Sequence, residues 1–260
     1  MKKYTLNEGF FDTLDQNSSY VLGFWAADGF ISKMKLSYTW GLVQKDQEFL
    51  QKIADTMGSN HPIKEKKGSN GCYGLRIYNK RLYEKMIEFG FSNRKSSTMV
   101  FPEMSKENRK HFIRGYFDGD GCVMLQKSKQ LKVVFTCGDR AFLARMKQQL
   151  KEDAGLKGGS ISRLKASNAY QLGYSTNDSL KIKDYIYNEA DLFLSRKKET
   201  FMKFKPSKSM SRSFEVTFPD QTKEIVKNLS EFQRNHNLPS LGNVMNTDKS
   251  YRGFKVKRLT

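Results

Sequence analysis

Apolar residues in the first part of the chain recur with helical spacing in some segments and alternate with polar residues in others. A period of about 3.6 residues is typical of a helix with one buried face, and alternation is typical of a strand. The predicted order is a helix over residues 18–28, a hairpin over residues 30–45, a helix over residues 46–57, a hairpin over residues 61–79 and a helix over residues 80–89. Ser18 or Ser19 is expected to cap the first helix, and Gly29 to end it.

The second part of the chain repeats the first. Residues 20–31 read YVLGFWAADGFI and residues 112–123 read FIRGYFDGDGCV. Both contain a Gly, two aromatic residues, a pair of small or acidic residues, and then Asp-Gly. Three further pairs of segments match in the same order, namely residues 44–50 with 137–143, 73–75 with 170–172, and 93–96 with 195–198. Four collinear matches predict two halves of the same fold, each with the order helix, two strands, helix, two strands, helix.

Charge indicates the kind of partner. The 260 residues include 46 Lys and Arg against 27 Asp and Glu, a formal net charge of +19. A chain this basic favours a nucleic-acid partner, with a basic protein that has no such partner as the alternative. No apolar run is long enough for a membrane helix and no secretory signal follows the first lysines, so we expect no membrane partner and a location in the cytoplasm or an organelle matrix.

Cysteine and histidine exclude other chemistry. The three cysteines have no CxxC spacing, which argues against a disulfide framework and a cysteine-rich zinc site. The three histidines are scattered, with no HxH or HxxxH pair, which argues against zinc hydrolases and nucleases that use histidine and a metal.

The two Asp-Gly pairs are the candidate catalytic and metal site. Each repeated helix carries two small residues four positions apart on one face, Gly23 and Ala27 in the first and Gly115 and Gly119 in the second. Such faces let two helices approach closely, which would bring Asp28 and Asp120 together at the negative ends of both helix dipoles. Two carboxylates placed there repel each other, and Mg²⁺ would offset both penalties and could support phosphodiester cleavage. The alternative is that each Asp-Gly only marks a turn.

These residues resemble the LAGLIDADG homing endonucleases. The nine-residue motif matches VLGFWAADG at residues 21–29 and IRGYFDGDG at residues 113–121. In the family the acidic residue next to last is the metal ligand, which here is Asp28 and Asp120. The resemblance implies an α+β fold of two pseudo-symmetric αββαββα halves, residues 1–105 and 106–204, with saddle-shaped antiparallel sheets that lie in the major groove of double-stranded DNA. A chain with two motifs resembles the monomeric members.

The family also has a basic residue near each scissile phosphate and a Gln beside the active site. By position in the repeat, the resemblance assigns the basic residues to Lys95 and Lys197, for which ordinary surface charges are the alternative. It assigns the Gln to Gln44, whereas the corresponding position in the second half is Cys137.

The implied function is a double-strand break with short 3′ overhangs in a long DNA target, with Mg²⁺ as cofactor and Mn²⁺ able to replace it. Such cleavage would promote mobility of a host intron or intein. A non-catalytic DNA-binding regulator and an intron RNA maturase with the same fold are the alternatives. Basic residues of the predicted strands and hairpins are the candidate DNA contacts, and a shift of one residue would reverse their facing. They are Lys33, Lys35, Lys66, Arg76, Lys127, Lys132 and Arg163.

The last part of the chain predicts a separate small unit. Residues 205–212 are typical of a linker, and residues 213–260 predict two strands, a helix from Asn228 to about Asn237, a second short helix through Met245 and a final strand. Two short helices with a tight turn favour a helix-turn-helix, as in the DNA-binding modules of intron-encoded endonucleases, which this segment resembles. Its expected base contacts are Ser240 and Asn243, and its expected phosphate contacts are Lys249 and Arg252. The alternative is a unit that only packs on the core.

Overall fold

The computed structural model of the chain describes residues 3–68, 71–93, 98–128, 130–165, 167–205 and 213–259. The chain forms two compact units, Met1–Phe204 and Lys205–Thr260. No helix in these described ranges combines the length and the apolar character needed to cross a membrane.

The first unit contains two halves with the same order of elements. The first half consists of α1 (Gln16–Asp28), β1 (Gly29–Met34), β2 (Ser37–Gln44), α2 (Gln47–Thr56), β3 (Ile63–Glu65), β4 (Tyr73–Tyr78) and α3 (Lys80–Glu88). The second half consists of α4 (Lys106–Asp120), β5 (Gly121–Leu125), β6 (Leu131–Cys137), α5 (Arg140–Ala154), β7 (Ser160–Arg163), β8 (Tyr170–Tyr174) and α6 (Thr176–Tyr187). The predicted αββαββα order is confirmed, and an additional helix, α7 (Ser195–Met202), follows it.

The start of α1 differs from the prediction. Asp15 is the residue that caps the helix, because its carboxylate accepts a hydrogen bond from the Ser18 backbone N–H at 2.7 Å. The Ser18 hydroxyl in turn accepts from the Asp15 backbone N–H at 2.8 Å. Ser18 therefore closes a reciprocal capping box from inside the helix, and the prediction that Ser18 or Ser19 is the cap was wrong.

Each half forms a four-stranded antiparallel sheet, with strand orders β1-β2-β4-β3 and β5-β6-β8-β7. In the first sheet Ile31, Trp40 and Ile77 are neighbours across three strands, and all three are buried against the helices. Val133 and Tyr174 are buried neighbours in the second sheet. Since side chains alternate along a strand, these buried residues fix which positions lie on the opposite face of each sheet.

Helices α1 and α4 pack against each other at their glycines. A Cβ atom added at Gly23 would lie 2.0 Å from the Phe112 carbonyl oxygen, and one added at Gly115 would lie 2.0 Å from the Tyr20 carbonyl oxygen. Both obstacles are backbone atoms of the partner helix, which cannot move aside as a flexible side chain could. The two backbones therefore approach as closely as the small residues of the repeated motif predict.

A polar cluster is buried beside this helix pair. The Arg114 guanidinium is fully buried and donates to the Leu192 carbonyl at 3.0 Å and the Ile186 carbonyl at 3.3 Å. Its Nη1 lies 2.8 Å from Nδ1 of His111. Arg114 has only donors, so this ring nitrogen must accept and His111 must be neutral. Burial, with the neighbouring Arg114 charge, lowers the pKa of His111 from 6.5 to about 4.

Acid is therefore expected to destabilise the first unit through His111. The folded pKa lies below the unfolded one, so the stabilisation is complete above pH 6.5 and is lost as the pH falls towards about 4. Between pH 7.5 and pH 5 this loss corresponds to about 2 kcal/mol. Urea unfolding at pH 7.5 and pH 5 should show that His111→Gln loses less stability between the two pH values than the wild type does. The amide oxygen of this glutamine can still accept a hydrogen bond from Arg114. An equal loss in the wild type and the variant would contradict this assignment.

The second unit is built on a three-stranded antiparallel sheet of order β10-β9-β11. Its elements are β9 (Ser213–Thr217), β10 (Lys223–Val226), α8 (Leu229–Asn235), a 3-10 turn (Leu241–Val244) and β11 (Lys255–Leu259). Val216, Phe232 and Leu241 are buried in its small core. The predicted second helix is one 3-10 turn of four residues, so the helix-turn-helix is not confirmed and stays a prediction.

Candidate active site

Asp28 and Asp120 are the last residues of α1 and α4. A Cβ atom added at Gly119 would lie 2.2 Å from Cβ of Ala27 and 3.2 Å from Oδ2 of Asp28. The Asp28 carboxylate thus lies against the last turn of α4, beside the residue that precedes Asp120. Asp28 is half-buried and Asp120 is exposed, so the site opens to solvent where the two helices end.

Gln44, the last residue of β2, lies beside Asp28. Its Nε2 donates to Oδ2 of Asp28 at 2.8 Å, and its Oε1 accepts from the Lys45 backbone N–H at 2.8 Å. The second contact fixes which end of the amide faces the carboxylate. The structure therefore brings together the Gln and the Asp that the sequence assigns to one site.

The second half differs at the corresponding position. Cys137 ends β6, and its thiol is buried and accepts from the Asp139 backbone N–H at 3.4 Å. Burial raises the pKa of Cys137, which keeps the thiol neutral at ordinary pH. The first half thus carries an amide donor where the second half carries a weakly polar thiol.

Lys197 lies in α7 and is only 6% exposed. Its Nζ donates to the carbonyl oxygens of Phe117 at 2.7 Å, Gly119 at 2.9 Å and Gly121 at 2.6 Å. These carbonyls lie at the C-terminal end of α4, where the helix dipole is negative. The three donors of the ammonium group match three acceptors, so the alternative of an ordinary surface charge does not hold for Lys197.

The environment of Lys197 balances burial against negative charge. Desolvation lowers its pKa from 10.5 to about 8, while Asp118, Asp28 and Asp120 act in the opposite direction. The same Asp28 and Asp120 raise the pKa of Tyr116, although burial is the larger cause there. Both carboxylates therefore lie close enough to Lys197 and Tyr116 to influence the pKa of each. The prediction for Lys95 lies outside the described residues.

Asp118 is a residue of this region to which the sequence assigned no role. Its buried carboxylate accepts from the hydroxyls of Tyr187 at 2.5 Å and Tyr20 at 2.6 Å, and from the Leu194 backbone N–H at 2.8 Å. Leu194 directly precedes α7, so Asp118 ties the start of the helix that carries Lys197 to α4. The sequence signal that could have identified Asp118 is its position in the middle of the motif, where the other copy has Ala26. A carboxylate buried at such a position requires hydrogen-bond partners.

The donor set at the helix ends fits Mg²⁺. Mg²⁺ commonly binds one or two protein carboxylates and takes its other ligands from water and phosphate. Asp28 and Asp120 supply two carboxylates, and in the part of the chain that the structure describes no group of three or more His, Cys, Asp or Glu could hold a metal ion. A cation held by these two carboxylates would take its other ligands from solvent or substrate.

The strand register assigns the predicted DNA contacts to faces. Arg76 pairs with Gly41, and Lys132 pairs with Met124, on the sheet faces that point away from the helices. Arg76 also lies 5.5 Å from the Phe30 ring centroid. Lys66 follows β3 and is exposed, and Lys35 and Lys127 lie in exposed hairpin turns.

Lys33 and Arg163 lie on the helix-facing sides of their sheets. Lys33 alternates with Ile31 and is directed over the Tyr38 ring, at 5.2 Å from its centroid. Arg163 alternates with the inward Ile161 and donates to Asn168 Oδ1 at 2.9 Å. The register of β1 with β2 and of β7 with β8 places both cations on the side of the sheet that packs against the helices, and their contacts with DNA stay predictions.

In the second unit the predicted contact residues are all exposed. The Ser240 hydroxyl accepts from the Gly242 backbone N–H at 3.4 Å and so begins the 3-10 turn in which Asn243 lies. Lys249 and Arg252 lie in the loop before β11, and Arg252 has a φ of 50°. Their contacts with DNA stay predictions.

Comparison with protein families identifies the first unit. A family model described as a LAGLIDADG-like domain matches residues 15–88 and 107–183, which together are more than half of the chain. The chain belongs to the LAGLIDADG family. The two matched segments correspond to the two halves of the fold, each beginning within one residue of the start of its motif helix.

Solved structures of LAGLIDADG proteins have the same fold. The homing endonuclease I-WcaI bound to its DNA recognition sequence has a TM-score of 0.52 at 16% identity, covering 72% of this chain and 87% of that one. The I-LtrWI LAGLIDADG homing endonuclease bound to target DNA has a TM-score of 0.51 at 14% identity, covering 73% and 88%. At these identities the likeness shows the shared α+β fold, as predicted.

A curated relative matches a shorter stretch. The DNA-directed RNA polymerase subunit Rpo1C of Methanocaldococcus jannaschii is 36% identical over 118 residues, which is 42% of this chain. The LAGLIDADG chain spans only 13% of the length of that relative, so the match does not carry the polymerase subunit's function to it.

Proposed function

We propose that this chain is a monomeric, site-specific DNA endonuclease that makes a Mg²⁺-dependent double-strand break in a long target. We further propose that Mn²⁺ can replace Mg²⁺, that the ends carry short 3′ overhangs, and that cleavage promotes mobility of the intron or intein that encodes the chain. The observation that carries the proposal is the position of the Asp28 carboxylate against the last turn of α4, beside Gly119, which directly precedes Asp120. Two acidic helix ends in contact are costly unless a cation lies between them.

The residues of the site would have distinct roles in this reaction. Asp28 and Asp120 would hold the divalent cation, and Gln44 orients one oxygen of Asp28 by its hydrogen bond at 2.8 Å. When bound, such a cation lowers the pKa of a water molecule and offsets charge that develops on the phosphate. Lys197 holds three carbonyls at the end of α4 and adds a positive charge beneath the site. Its role is therefore electrostatic and positional, since its donors are already used.

Binding of the duplex would use the sheet faces that point away from the helices. Arg76 in the first sheet and Lys132 in the second lie on these faces, and the chain has a net charge of +19. Contacts of Lys and Arg with phosphates release counterions, so the binding constant should fall steeply with salt. The two halves are not equivalent, because Gln44 is replaced by Cys137, and we expect the two strands to be cut at different rates.

The test is cleavage of supercoiled plasmids that carry fragments of the source genome, including the rejoined junction that lacks this reading frame. The proposal predicts linear plasmid with one cut site in Mg²⁺, and none in EDTA. Binding without strand breaks would support a regulator, and splicing of the flanking RNA without DNA cleavage would support a maturase; either result would overturn the proposal. A binding constant that hardly changes with salt would contradict all three functions.

Replacing Lys197 by Met should separate its role from that of a surface charge. We expect cleavage to slow about 100-fold, as for loss of one electrostatic contact at a reaction centre, while DNA affinity changes little because Nζ is buried. Lys198→Met is the matched control, since it removes the same charge one residue away, where Nζ lies 4.0 Å from the Phe193 ring centroid. Single-turnover rates that fall equally in both variants would contradict a specific role for Lys197.

A further inference from the structure

The sheet of the second unit has one buried and one exposed face. Val216 and Val256 are paired across β9 and β11 and are buried against α8 and the 3-10 turn. The alternate residues lie on the other face, which we call the outer face. They are Ser213, Glu215 and Thr217 in β9, Lys223 and Ile225 in β10, and Lys255, Lys257 and Leu259 in β11.

Positive charge is concentrated at one end of the outer face. Lys223 and Lys255 both pair with Thr217, one from each side, and Lys257 pairs with Glu215. All three lysines are exposed. Lys223 also forms an ion pair with Glu215 at 3.2 Å, and Glu215 is the only acidic residue among the outer-face positions of these three described strands. Three lysines therefore surround a polar central strand and leave a net positive surface.

The other side of the unit offers less to a nucleic acid. In the 3-10 turn Leu241 and Val244 are both buried in the core, which leaves only Gly242 and Asn243 of its four residues directed outward. A recognition helix normally presents several side chains to the major groove from successive turns. A single turn with half of its residues in the core cannot present several side chains to the major groove.

We propose that the second unit binds duplex DNA through the outer face, with Lys223, Lys255 and Lys257 on phosphates. The proposal rests on the proposed function, since it assigns a second surface to the same DNA. A β-sheet can lie in a DNA groove, and flanking lysines would then reach the phosphates at its edges. Ile225, which is 67% exposed on this face, would contact apolar groups such as thymine methyls or sugars.

The test compares two triple variants of the full chain that remove the same charge from the same unit. Lys223→Gln, Lys255→Gln and Lys257→Gln remove the three lysine charges of the outer face. The control variant, Lys227→Gln, Arg234→Gln and Arg258→Gln, removes three positive charges at exposed positions outside that face. Affinity for the duplex that the wild type recognises is measured across a salt series. Unfolding curves show that both variants keep the fold of the second unit.

We expect the outer-face variant to lose about 10- to 100-fold in affinity and to reduce the slope of log K against log salt by about 2 to 3. The control variant should lose less than about 3-fold and change the slope by less than about 1. Hydroxyl-radical footprints should be shortened at one end only in the outer-face variant, with an unchanged cleavage rate at saturating protein. Equal losses in both variants, or a larger loss in the control, would overturn the proposal.

The outcomes also separate this inference from the proposed function. A wild-type chain that binds the duplex and never cuts it would contradict the nuclease assignment. The two triple variants would still show whether the outer face of the second unit binds the duplex. A wild-type chain that cuts, with an outer-face variant that binds as tightly as the control, would overturn the inference alone. An outer-face variant that loses affinity for RNA and keeps its affinity for duplex DNA would also overturn it.

Discussion

Asp28→Asn and Asp120→Asn are each expected to slow double-strand cleavage at least about 10³-fold and to leave DNA affinity within a few fold. Asparagine keeps the size of the side chain and removes the charge that a divalent cation requires, and the loss of several kcal/mol of transition-state stabilisation corresponds to this factor. Both residues end a helix, where a carboxylate faces the negative end of the dipole. The same substitutions should therefore raise stability by a few tenths to about 1 kcal/mol.

Opposite changes in activity and stability distinguish a catalytic carboxylate from a structural one. A structural aspartate that is lost lowers stability, and its loss slows cleavage only indirectly. Asp184→Asn is a suitable control, because Asp184 is exposed on α6 and the one contact described for its side chain is a surface ion pair with Lys183. Rates of cutting each strand of an end-labelled duplex, with urea unfolding in parallel, give both quantities. Cleavage at the wild-type rate in either Asn variant would show that the site assignment is wrong.

Gly23→Ala and Gly115→Ala are expected to lower the free energy of unfolding by about 2 to 4 kcal/mol and to slow cleavage about 100-fold. Helix propensity alone predicts that both variants are more stable than the wild type, since Ala in a helix is favoured over Gly by up to about 1 kcal/mol. In each variant the added Cβ would lie 2.0 Å from a backbone carbonyl oxygen of the partner helix. The helices must then separate, which also moves Asp28 away from the end of α4.

The matched control is Gly74→Ala in β4. A Cβ atom added at Gly74 would lie 3.8 Å from the Leu42 carbonyl oxygen, which is an ordinary contact, and the residue does not have a positive φ. The free energy of unfolding of the Gly74→Ala variant should stay within about 0.5 kcal/mol of the wild-type value. A rise in stability in Gly23→Ala or Gly115→Ala, as propensity alone predicts, would contradict the close packing of α1 and α4.

The sequence predicts most of the fold because periodicity and repetition are local signals. The order αββαββα and the approach of the two motif helices both follow from spacing along the chain. The facing of Lys33 and Arg163 could not be predicted because each lies near a strand end, where the pattern of buried residues gives no direct signal. The cap of α1 was wrong because the serine chosen lies inside a capping box that begins at Asp15.

The candidate site is less predictable because it depends on contacts distant in sequence. The repeat indicates Asp28 and Asp120, the family resemblance adds Gln44, and the structure brings Gln44 to Asp28. The backbone carbonyls that bind Lys197 lie 76 to 80 positions away in sequence, and the bond between Asp118 and Tyr20 spans 98 positions. No local pattern reports such pairs, so the link from Asp118 through Leu194 to α7 emerges only from the folded chain.

We propose that both aspartates, at the adjoining ends of α1 and α4, hold one divalent site. The decisive measurement is uptake of Mn²⁺ by the complex of the protein with its target duplex, followed as the loss of the free-ion electron paramagnetic resonance signal. We expect uptake by the wild type, whether the duplex is intact or cut, and markedly weaker uptake by both Asp28→Asn and Asp120→Asn at equal DNA occupancy. Unchanged Mn²⁺ uptake in either variant would contradict it.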